Sequence, residues 1–209
     1  MFGGQHFVDA RASLLRRVIA GLSTIVALAA LGSVVLPVAS AQASIIDLSA
    51  CNLSPLSQPF APWLDSSSYE LAPGGDFESA SWNLSGGAAR VPGSDPFAAT
   101  GALGSWSLSL PAGASAQSPA TCVDAAYPTV RFFASGTGLL AVTAVYGDVT
   151  LPAGVDVVAG GWSPSPVMLT SSALVALTSD GSAQVSLRFT TLVGDVRVDD
   201  VFVDPWNRS

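Results

Sequence analysis

Four acidic side chains, near the two ends of the strand-forming part of the chain, are the residues best suited to chemistry. Asp76 and Glu78 lie in one predicted strand region, and Asp199 and Asp200 are adjacent in the last one. If the first and last strands lie side by side, Glu78 faces Asp199 or Asp200, and such carboxylates repel unless a cation or protons intervene. Calcium takes six to eight oxygen ligands, which these carboxylates and the carbonyl groups of Pro73-Gly74-Gly75 can supply. The pattern predicts a calcium site, and the alternative is a solvated strand end that binds nothing.

The spacing of apolar residues predicts an irregularity at the same aspartates. Val196 and Val198 share one parity along the strand, whereas Val201 and Val203 have the other. The alternation therefore slips at Asp199-Asp200, which predicts a β-bulge there. Bulges re-aim side chains, as a ligand site requires.

Catalytic groups of other kinds are missing from the sequence. The single histidine is His6, in an N-terminal segment that we expect to be removed, so histidine-dependent triads and histidine-ligated zinc are excluded. A glycosidase needs two carboxylates, but the remaining chain has only Glu70 and Glu78 besides its aspartates, and one of these glutamates is assigned to the ion. We therefore expect a protein that is not an enzyme.

Composition excludes two further classes. The 209 residues carry 8 basic side chains, all arginine, against 15 acidic ones, a net charge of −7 that leaves no basic face for a nucleic acid. Charged residues make up only 11% of the chain and apolar residues 49%, the reverse of the composition of disordered proteins. The composition predicts a folded, acidic domain.

The N-terminal segment has the layout of a secretory signal. Three arginines precede an uncharged apolar run from Val18 to Leu36, and Pro37 and the small-residue pattern Ala39-Ser40-Ala41 follow it. This layout predicts a signal peptide over residues 1–41, cleaved after residue 41 or 43, and hence a secreted bacterial protein with no membrane attachment. An uncleaved membrane anchor is the alternative, and the arginine pair in this segment leaves open whether export uses the general or the twin-arginine route.

Two cysteines suit an exported chain. Cys51 lies too far beyond the apolar run to be the lipidated cysteine of a lipoprotein, and the spacing between Cys51 and Cys122 does not fit a metal or redox motif. Two thiols in an exported chain most often form one disulfide, so we predict a Cys51–Cys122 bridge.

Short alternating runs separated by turn residues predict an all-β fold. Ser105 to Leu110 and Gln184 to Thr190 alternate polar with apolar residues, and 14 prolines and 20 glycines oppose long helices. Seven or more such strands point to an antiparallel β-sandwich. The other predicted strands cover residues 77–84, 129–134, 139–146, 166–178 and 196–203.

The part of the chain after the signal is predicted to form one domain with a lead-in segment. Residues 44–68 read as an irregular strap whose Phe60, Trp63 and Leu64 pack onto the sandwich, and residues 69–209 read as the sandwich itself. The sequence shows no internal repeat and no linker to divide this region further.

Two stretches resemble the galactose-binding-like jelly-roll carbohydrate-binding modules, and the pattern also resembles small uncharacterised secreted bacterial proteins of that fold. Gly75-Asp76-Phe77-Glu78, with Trp82 and a glycine turn after it, is similar to the opening strand of these modules. Val198-Asp199-Asp200-Val201 is similar to their closing strand. The resemblance implies a jelly roll and a structural calcium ion held by the first-strand glutamate and an aspartate of the closing pair.

The resemblance also implies carbohydrate binding through exposed aromatic and polar side chains. If Val130 points inward, Arg131 and Phe133 share the opposite face, which other aromatic residues could join. The predicted glycan-contacting residues are Tyr127, Arg131, Phe133, Tyr146 and Trp162. Burial in the core is the ordinary alternative for each of these side chains.

Two functions follow from this reasoning. The first is a secreted, non-catalytic domain that binds a polysaccharide or cell-surface glycan, and it predicts a concave sheet with exposed aromatic residues. The alternative is a structural or protein-interaction sandwich without sugar binding, and it predicts a sheet face lined by serine, threonine and arginine.

Overall fold

The alternation of polar with apolar residues, together with frequent turns, produces a structure built almost entirely of antiparallel strands. The computed structural model describes residues 55–124, 129–170 and 182–204, which belong to a single compact unit comprising residues 44–209. The strands are β1 (Glu70–Leu71), β2 (Asn83–Ser85), β3 (Ala89–Pro92), β4 (Trp106–Pro111), β5 (Ser115–Gln117), β6 (Thr121–Asp124), β7 (Thr129–Tyr146), β8 (Val149–Pro164), β9 (Met168–Leu169) and β10 (Ser182–Asp204).

The two longest strands organise the others. β10, with 23 residues, pairs along one side with β7, which has 18 residues. Along its other side β10 pairs in turn with β6, β5, β4 and β1, while β7 pairs with β8 and β9. β2 extends the sheet from β5, and β3 extends it from β4. Every pairing is antiparallel, so the predicted all-β antiparallel sandwich is confirmed.

One large apolar core fills the space inside this curved sheet. It receives side chains from both halves of β7 and both halves of β10, as well as from β4, β5, β6, β8 and β9. Leu108, Leu110, Leu187 and Phe189 are completely buried, as the alternation in β4 and β10 predicts. Burial of such side chains stabilises each by about 1.5–3 kcal/mol relative to exposure.

A second, smaller core lies on the opposite face of β7 and β10. Phe60 and Tyr69 of the N-terminal segment pack there against Phe133 and Phe202. A short 3₁₀ helix, Ala61–Trp63, follows Phe60, and Trp63 lies beside the cluster. The predicted packing is therefore observed for Phe60 and Trp63. It is wrong for Leu64, whose side chain is 98% exposed because the residue ends the 3₁₀ helix in a left-handed conformation.

Several predicted strand boundaries are corrected. The predicted strands 129–134 and 139–146 are one strand, β7, and the predicted strands 184–190 and 196–203 both belong to β10. Of the predicted strand 77–84 only the end is extended, in β2, because residues 72–82 form turns around Trp82. β8 lies in a region for which no strand was predicted.

Some predictions concern residues outside the described ranges. These are the signal segment 1–41, its cleavage sites, residues 44–54 of the strap, and Cys51. Cys122 lies on β6, and the Cys51–Cys122 disulfide stays a prediction. Within the described ranges, no helix has the length and apolar character needed to cross a bilayer.

Candidate metal centre and polar groove

Three buried carboxylates meet where the end of β10 passes the loop after β3. Carboxylate oxygens of Asp95, Asp199 and Asp200 lie within 4.8 Å of one another. The three residues are 3%, 0% and 4% exposed. We call these residues the acidic cluster.

The backbone of β10 places the two adjacent aspartates in this cluster. The register of β10 with β7 shifts between Asp199 and Phe202, which confirms the predicted bulge. Asp200 adopts a left-handed conformation with φ of 45°, which aspartate tolerates better than most side chains. The bulge therefore turns both carboxylates toward the loop that carries Asp95.

Hydrogen bonds hold Asp199 firmly but leave one oxygen of Asp95 without a partner. Asp199 Oδ2 accepts a 2.9 Å hydrogen bond from the Asp95 amide, and its Oδ1 accepts one of 3.0 Å from the Asp200 amide. Asp95 Oδ1 accepts a 2.7 Å bond from the amide of Phe97, while Asp95 Oδ2 is buried and has no hydrogen-bond partner. Buried polar atoms are normally satisfied, and either a bound cation or a hydrogen bond from protonated Asp200 would satisfy this oxygen.

Burial and mutual repulsion make the ionised cluster unfavourable in the absence of a cation. Burial raises the pKa of Asp199 from 3.8 to about 7, against hydrogen bonds from Ser94, Asp95 and Asp200 that lower it. Burial, and then the negative charges of Asp95 and Asp199, raise the pKa of Asp200 as well. A bound cation would remove this penalty.

The donor set fits a hard divalent cation. Among the described residues, no basic side chain forms an ion pair with the acidic cluster. All the cluster's donors are carboxylate oxygens, without nitrogen or sulfur, which suits calcium better than zinc or copper. Asp95, Asp199 and Asp200 would hold the ion.

The predicted calcium set requires one correction. Asp95, and not Glu78, faces the two aspartates. The segment before β2 lies beside β10, since the Val201 amide donates a 3.0 Å hydrogen bond to the Gly75 carbonyl, but the Glu78 carboxylate is held elsewhere. Glu78 is exposed, and its Oε1 accepts hydrogen bonds of 2.6 Å and 3.0 Å from the Ser105 and Trp106 amides. Asp76 lies near enough for its charge to raise the pKa of Asp200, but it is not a member of the cluster.

The raised pKa values predict that the metal-free protein loses stability as pH rises. A carboxyl whose pKa is higher in the folded state stabilises that state while it is protonated. For Asp199 this contribution is complete below its ordinary pKa of 3.8 and is lost as pH rises through about 7. In EDTA we expect the melting temperature to fall between about pH 4 and pH 8. Thermal melts across this range test it, with Asp199→Asn as the variant that flattens the fall. A melting temperature that rises over the same range would contradict the prediction.

A second feature, an open polar groove, lies on the outer face of the sheet at the other half of β10. Register places Asn83, Gln117 and Arg188 in one row across β2, β5 and β10, and Thr143 of β7 continues it. The groove has a volume of about 340 Å³. Its lining residues are Asn83, Leu84, Ser85, Ser115, Gln117 and Arg188.

Arg188 is the one charged side chain of the groove lining. Its Nε and Nη2 donate hydrogen bonds of 3.0 Å and 2.7 Å to Gln117 Oε1. No aromatic ring of the described residues lines the groove. The groove therefore offers amide, hydroxyl and guanidinium groups, which recognise polar ligands by hydrogen bonds. We call these residues the Arg188 groove.

Arg131 and Phe133, predicted to contact a glycan from an exposed face, are buried. Arg131 is 7% exposed; its Nη1 lies 2.7 Å from Asp65 Oδ2, and its Nη2 donates a 2.7 Å bond to the Ser165 carbonyl. Phe133 is completely buried against Phe60, with ring centroids 5.1 Å apart. The prediction of exposure is wrong because the N-terminal segment covers this face of the sheet.

The other predicted glycan contacts lie apart from the groove. Tyr146 is partly buried against the large core and its hydroxyl donates to the Thr170 carbonyl, while burial raises its pKa to about 12. Trp162 packs beside the small core, with Arg197 over its ring at 5.6 Å. Tyr127 lies outside the described residues. None of Tyr146, Trp162, Arg131 and Phe133 lines the groove.

Sequence reasoning missed both Asp95 and the groove. Asp95 stands in the turn Pro92-Gly93-Ser94-Asp95-Pro96, where an aspartate is ordinary, and its partner Asp199 is 104 positions away. The row Asn83, Gln117 and Arg188 depends on pairing among three distant strands. Only the outward position of Arg188 in the alternation of β10 signalled a residue on an open face.

Comparison with known proteins gives structural similarities alone. No protein-family model matches the chain, and no curated protein is similar to it in sequence. A structure of the CBM22-1 and GH10 modules of Clostridium thermocellum xylanase 10B with xylohexaose aligns with 16% identity and a TM-score of 0.47, over 68% of this chain and 29% of that one.

Two isolated modules are also similar. The C-terminal CBM6 of LamC, a marine laminarinase from Zobellia galactanivorans, aligns with 11% identity and a TM-score of 0.43, over 62% of this chain and 94% of that one. The CBM22-2 xylan-binding domain of Paenibacillus barcinonensis Xyn10C aligns with 11% identity and a TM-score of 0.42, over 66% of this chain and 99% of that one. Several of the solved structures that this chain resembles in fold are thus carbohydrate-binding modules, and this agrees with the fold that the sequence resemblance predicted.

Proposed function

We propose that this protein is an exported, non-catalytic domain that binds a polysaccharide in the Arg188 groove and carries a structural calcium ion at the acidic cluster. The observation that supports binding is the groove itself, an open cavity of about 340 Å³ lined by hydrogen-bonding side chains. Export rests on the layout of residues 1–41.

The groove suits a sugar polymer because its polar groups stand on paired strands. Three adjacent strands, β2, β5 and β10, carry the lining, so little side-chain or backbone order has to be gained on binding. Leu84 is 41% exposed and provides a small apolar surface next to the donors. Amide and hydroxyl groups around an apolar surface match the alternating polar and apolar character of a sugar ring.

Calcium at the acidic cluster would act on the structure and not on a substrate. The three carboxylates are almost completely buried, so a polymer cannot reach them. An ion there would join the bulge of β10 to the loop that carries Asp95, and it would neutralise the repulsion among the aspartates.

A non-catalytic role follows from where the acids lie. A glycosidase places its two carboxylates on either side of the scissile bond in an open cleft. The acidic cluster is buried, and the lining of the Arg188 groove contains no carboxylate. The groove therefore has groups for binding but no acid and base pair.

Glycan binding is tested by affinity electrophoresis of the purified protein in gels that contain single soluble polysaccharides. We expect retardation by at least one polymer, and we expect Asn83→Ala and Gln117→Ala to weaken it about tenfold because each removes hydrogen bonds of the groove. Thr137→Ala, at an exposed position of β7 outside the groove, serves as the matched control. Equal mobility in all gels would contradict the proposal.

A protein-interaction sandwich is the second candidate function, and an exposed apolar row supports it. Val157 of β8 is 75% exposed, and register places it beside Leu139 of β7, which in turn lies beside Val193 of β10, 61% exposed. In the described pairings β8 is an edge strand, bonded to β7 alone, so a second copy could pair with it. A protein that binds no polymer and forms a dimer, abolished by Val157→Lys, would favour this candidate.

A further inference from the structure

We infer that the ligand of the Arg188 groove is an acidic glycan, one whose repeating sugars carry a carboxylate or a sulfate. This inference rests on the proposed function, because it names the class of polysaccharide that the same groove would bind. It depends on the state of one guanidinium group and on the charges of the residues around it.

Arg188 presents an unneutralised positive charge in an open cavity. Its side chain is partly buried, and the partner of its Nε–Nη2 edge is the neutral amide oxygen of Gln117. Among the described residues, no carboxylate forms an ion pair with Arg188. The Nη1 group and the second hydrogen of Nη2 remain for a ligand, in the paired geometry that guanidinium uses toward carboxylate or sulfate.

The side chains next to Arg188 also favour an anion. Because Gln117 turns its oxygen toward Arg188, its amide nitrogen is left to donate to the groove. The Ser115 hydroxyl accepts a hydrogen bond from Thr190 and keeps its own proton to donate, whereas the Ser85 hydroxyl donates to the Ser115 carbonyl. The lining contains no acidic residue, although the whole chain has 15 acidic side chains against 8 basic ones.

The lack of aromatic side chains among the described lining residues also favours an acidic ligand over a neutral sugar. Neutral sugars are commonly held by stacking of the ring on an aromatic face, which supplies apolar contact. Within the part of the chain that the structure describes, Leu84 is the only apolar residue of the lining. A ligand whose binding comes from hydrogen bonds and one ionic contact fits this cavity better than one that depends on stacking.

The experiment compares polymers that differ only in charge. Isothermal titration calorimetry measures binding of the purified protein to polygalacturonate and to the same polymer after reduction of its carboxyl groups. Dextran sulfate and dextran form a second pair, which separates sulfate from carboxylate. We expect the charged member of at least one pair to bind about tenfold more tightly than its neutral member, and the difference to shrink in about 0.5 M salt.

Three variants connect that difference to Arg188. Gln117→Glu keeps the side-chain shape but places a carboxylate against the guanidinium, so it should abolish the preference for the charged polymer. Arg188→Met should do the same, and Arg188→Lys should keep part of it. Thr137→Glu changes the net charge by the same amount as Gln117→Glu but lies outside the groove, and it should leave the preference unchanged.

The outcomes separate this inference from the proposed function. Equal binding of charged and neutral polymers, unaffected by Gln117→Glu, would overturn the inference while glycan binding stands. A preference for charged polymers that Thr137→Glu reduces as much as Gln117→Glu would also overturn it, because the effect would then come from net charge. Binding to none of the four polymers overturns the inference, and the wider polysaccharide panel then decides the proposed function.

Discussion

Replacing Asp200 with asparagine should stabilise the metal-free protein and abolish its response to calcium. In the metal-free state Asp200 is a buried carboxyl close to Asp95 and Asp199, so a neutral amide of the same shape relieves repulsion. Asparagine also tolerates the left-handed conformation of position 200. Because burial and the charges of Asp95 and Asp199 raise the pKa of Asp200 to about 9, the carboxyl is ionised only above that pH. There we expect a gain of about 1–3 kcal/mol in EDTA, the usual cost of a poorly compensated buried polar group.

The same substitution should remove the stabilisation that calcium gives the unsubstituted protein. A ligand present at one hundred times its dissociation constant stabilises the folded state by about 2.7 kcal/mol, and this gain disappears when a ligand residue is lost. Thermal melts in EDTA and in calcium measure both effects, with Asp148→Asn on an exposed turn as the control. Identical melts of the unsubstituted protein in EDTA and in calcium would contradict the metal centre, whatever the variant does.

Phe60→Ala should cost about 3–5 kcal/mol of unfolding free energy, the range for removal of a buried aromatic side chain. Phe60 is completely buried and stands at the centre of the small core. Its ring lies 5.2 Å from that of Tyr69 and 5.7 Å from that of Phe202, and the Arg131 guanidinium lies 4.3 Å from it. Truncation at this position removes contacts with every neighbour in the cluster.

Urea denaturation followed by fluorescence measures this loss. Leu64→Ala is the matched control, since that side chain is 98% exposed and its truncation should change stability by less than about 0.5 kcal/mol. A Phe60→Ala variant as stable as Leu64→Ala would show that the N-terminal segment contributes little to the fold. A large loss would establish that residues 55–69 belong to the folded domain and do not merely lead into it.

The sequence predicts strands best where one face of the strand is buried and the other is exposed to solvent. β4 and the first half of β10 alternate clearly because their inner side chains enter the large core while most of the outer ones are partly exposed. Ser107 is an exception, since it is buried and accepts hydrogen bonds from Arg197. The class of fold follows from such strands and from the absence of helical periodicity. The approximate position of the bulge also follows, because the inward-facing parity can change within residues 196–203 only if one strand carries an extra residue there.

The continuous course of β7 could not be predicted because its middle contains glycines. Ser135-Gly136-Thr137-Gly138 has the composition of a turn, yet it pairs with β10. Gly136 has φ of 110°, and a Cβ atom there would lie 2.3 Å from the Asp195 carbonyl. Close approach of two backbones, and not chain reversal, explains this glycine, and local sequence does not distinguish the two.

The members of each site depend on contacts that periodicity does not report. Asp199 and Asp200 were predicted because they are adjacent and interrupt a strand, but Asp95 belongs to a loop that reaches them only in the folded chain. Arg131 alternates like an exposed residue and is nevertheless buried, because alternation identifies the face of a strand and not what covers that face. Both errors arise from the N-terminal and loop segments that pack over the sheet.

The dominance of β10 has a consequence for when this chain can fold. Of the described strands, β10 is made last, and it pairs with β1, β4, β5, β6 and β7. Most of the sheet therefore has no central partner until residues 182–204 have left the ribosome, and such distant pairings form slowly. The pairs β3 with β4 and β7 with β8 can form earlier, but the core of the sandwich cannot close before β10 is made. That order of events suits a chain that crosses a membrane before it folds.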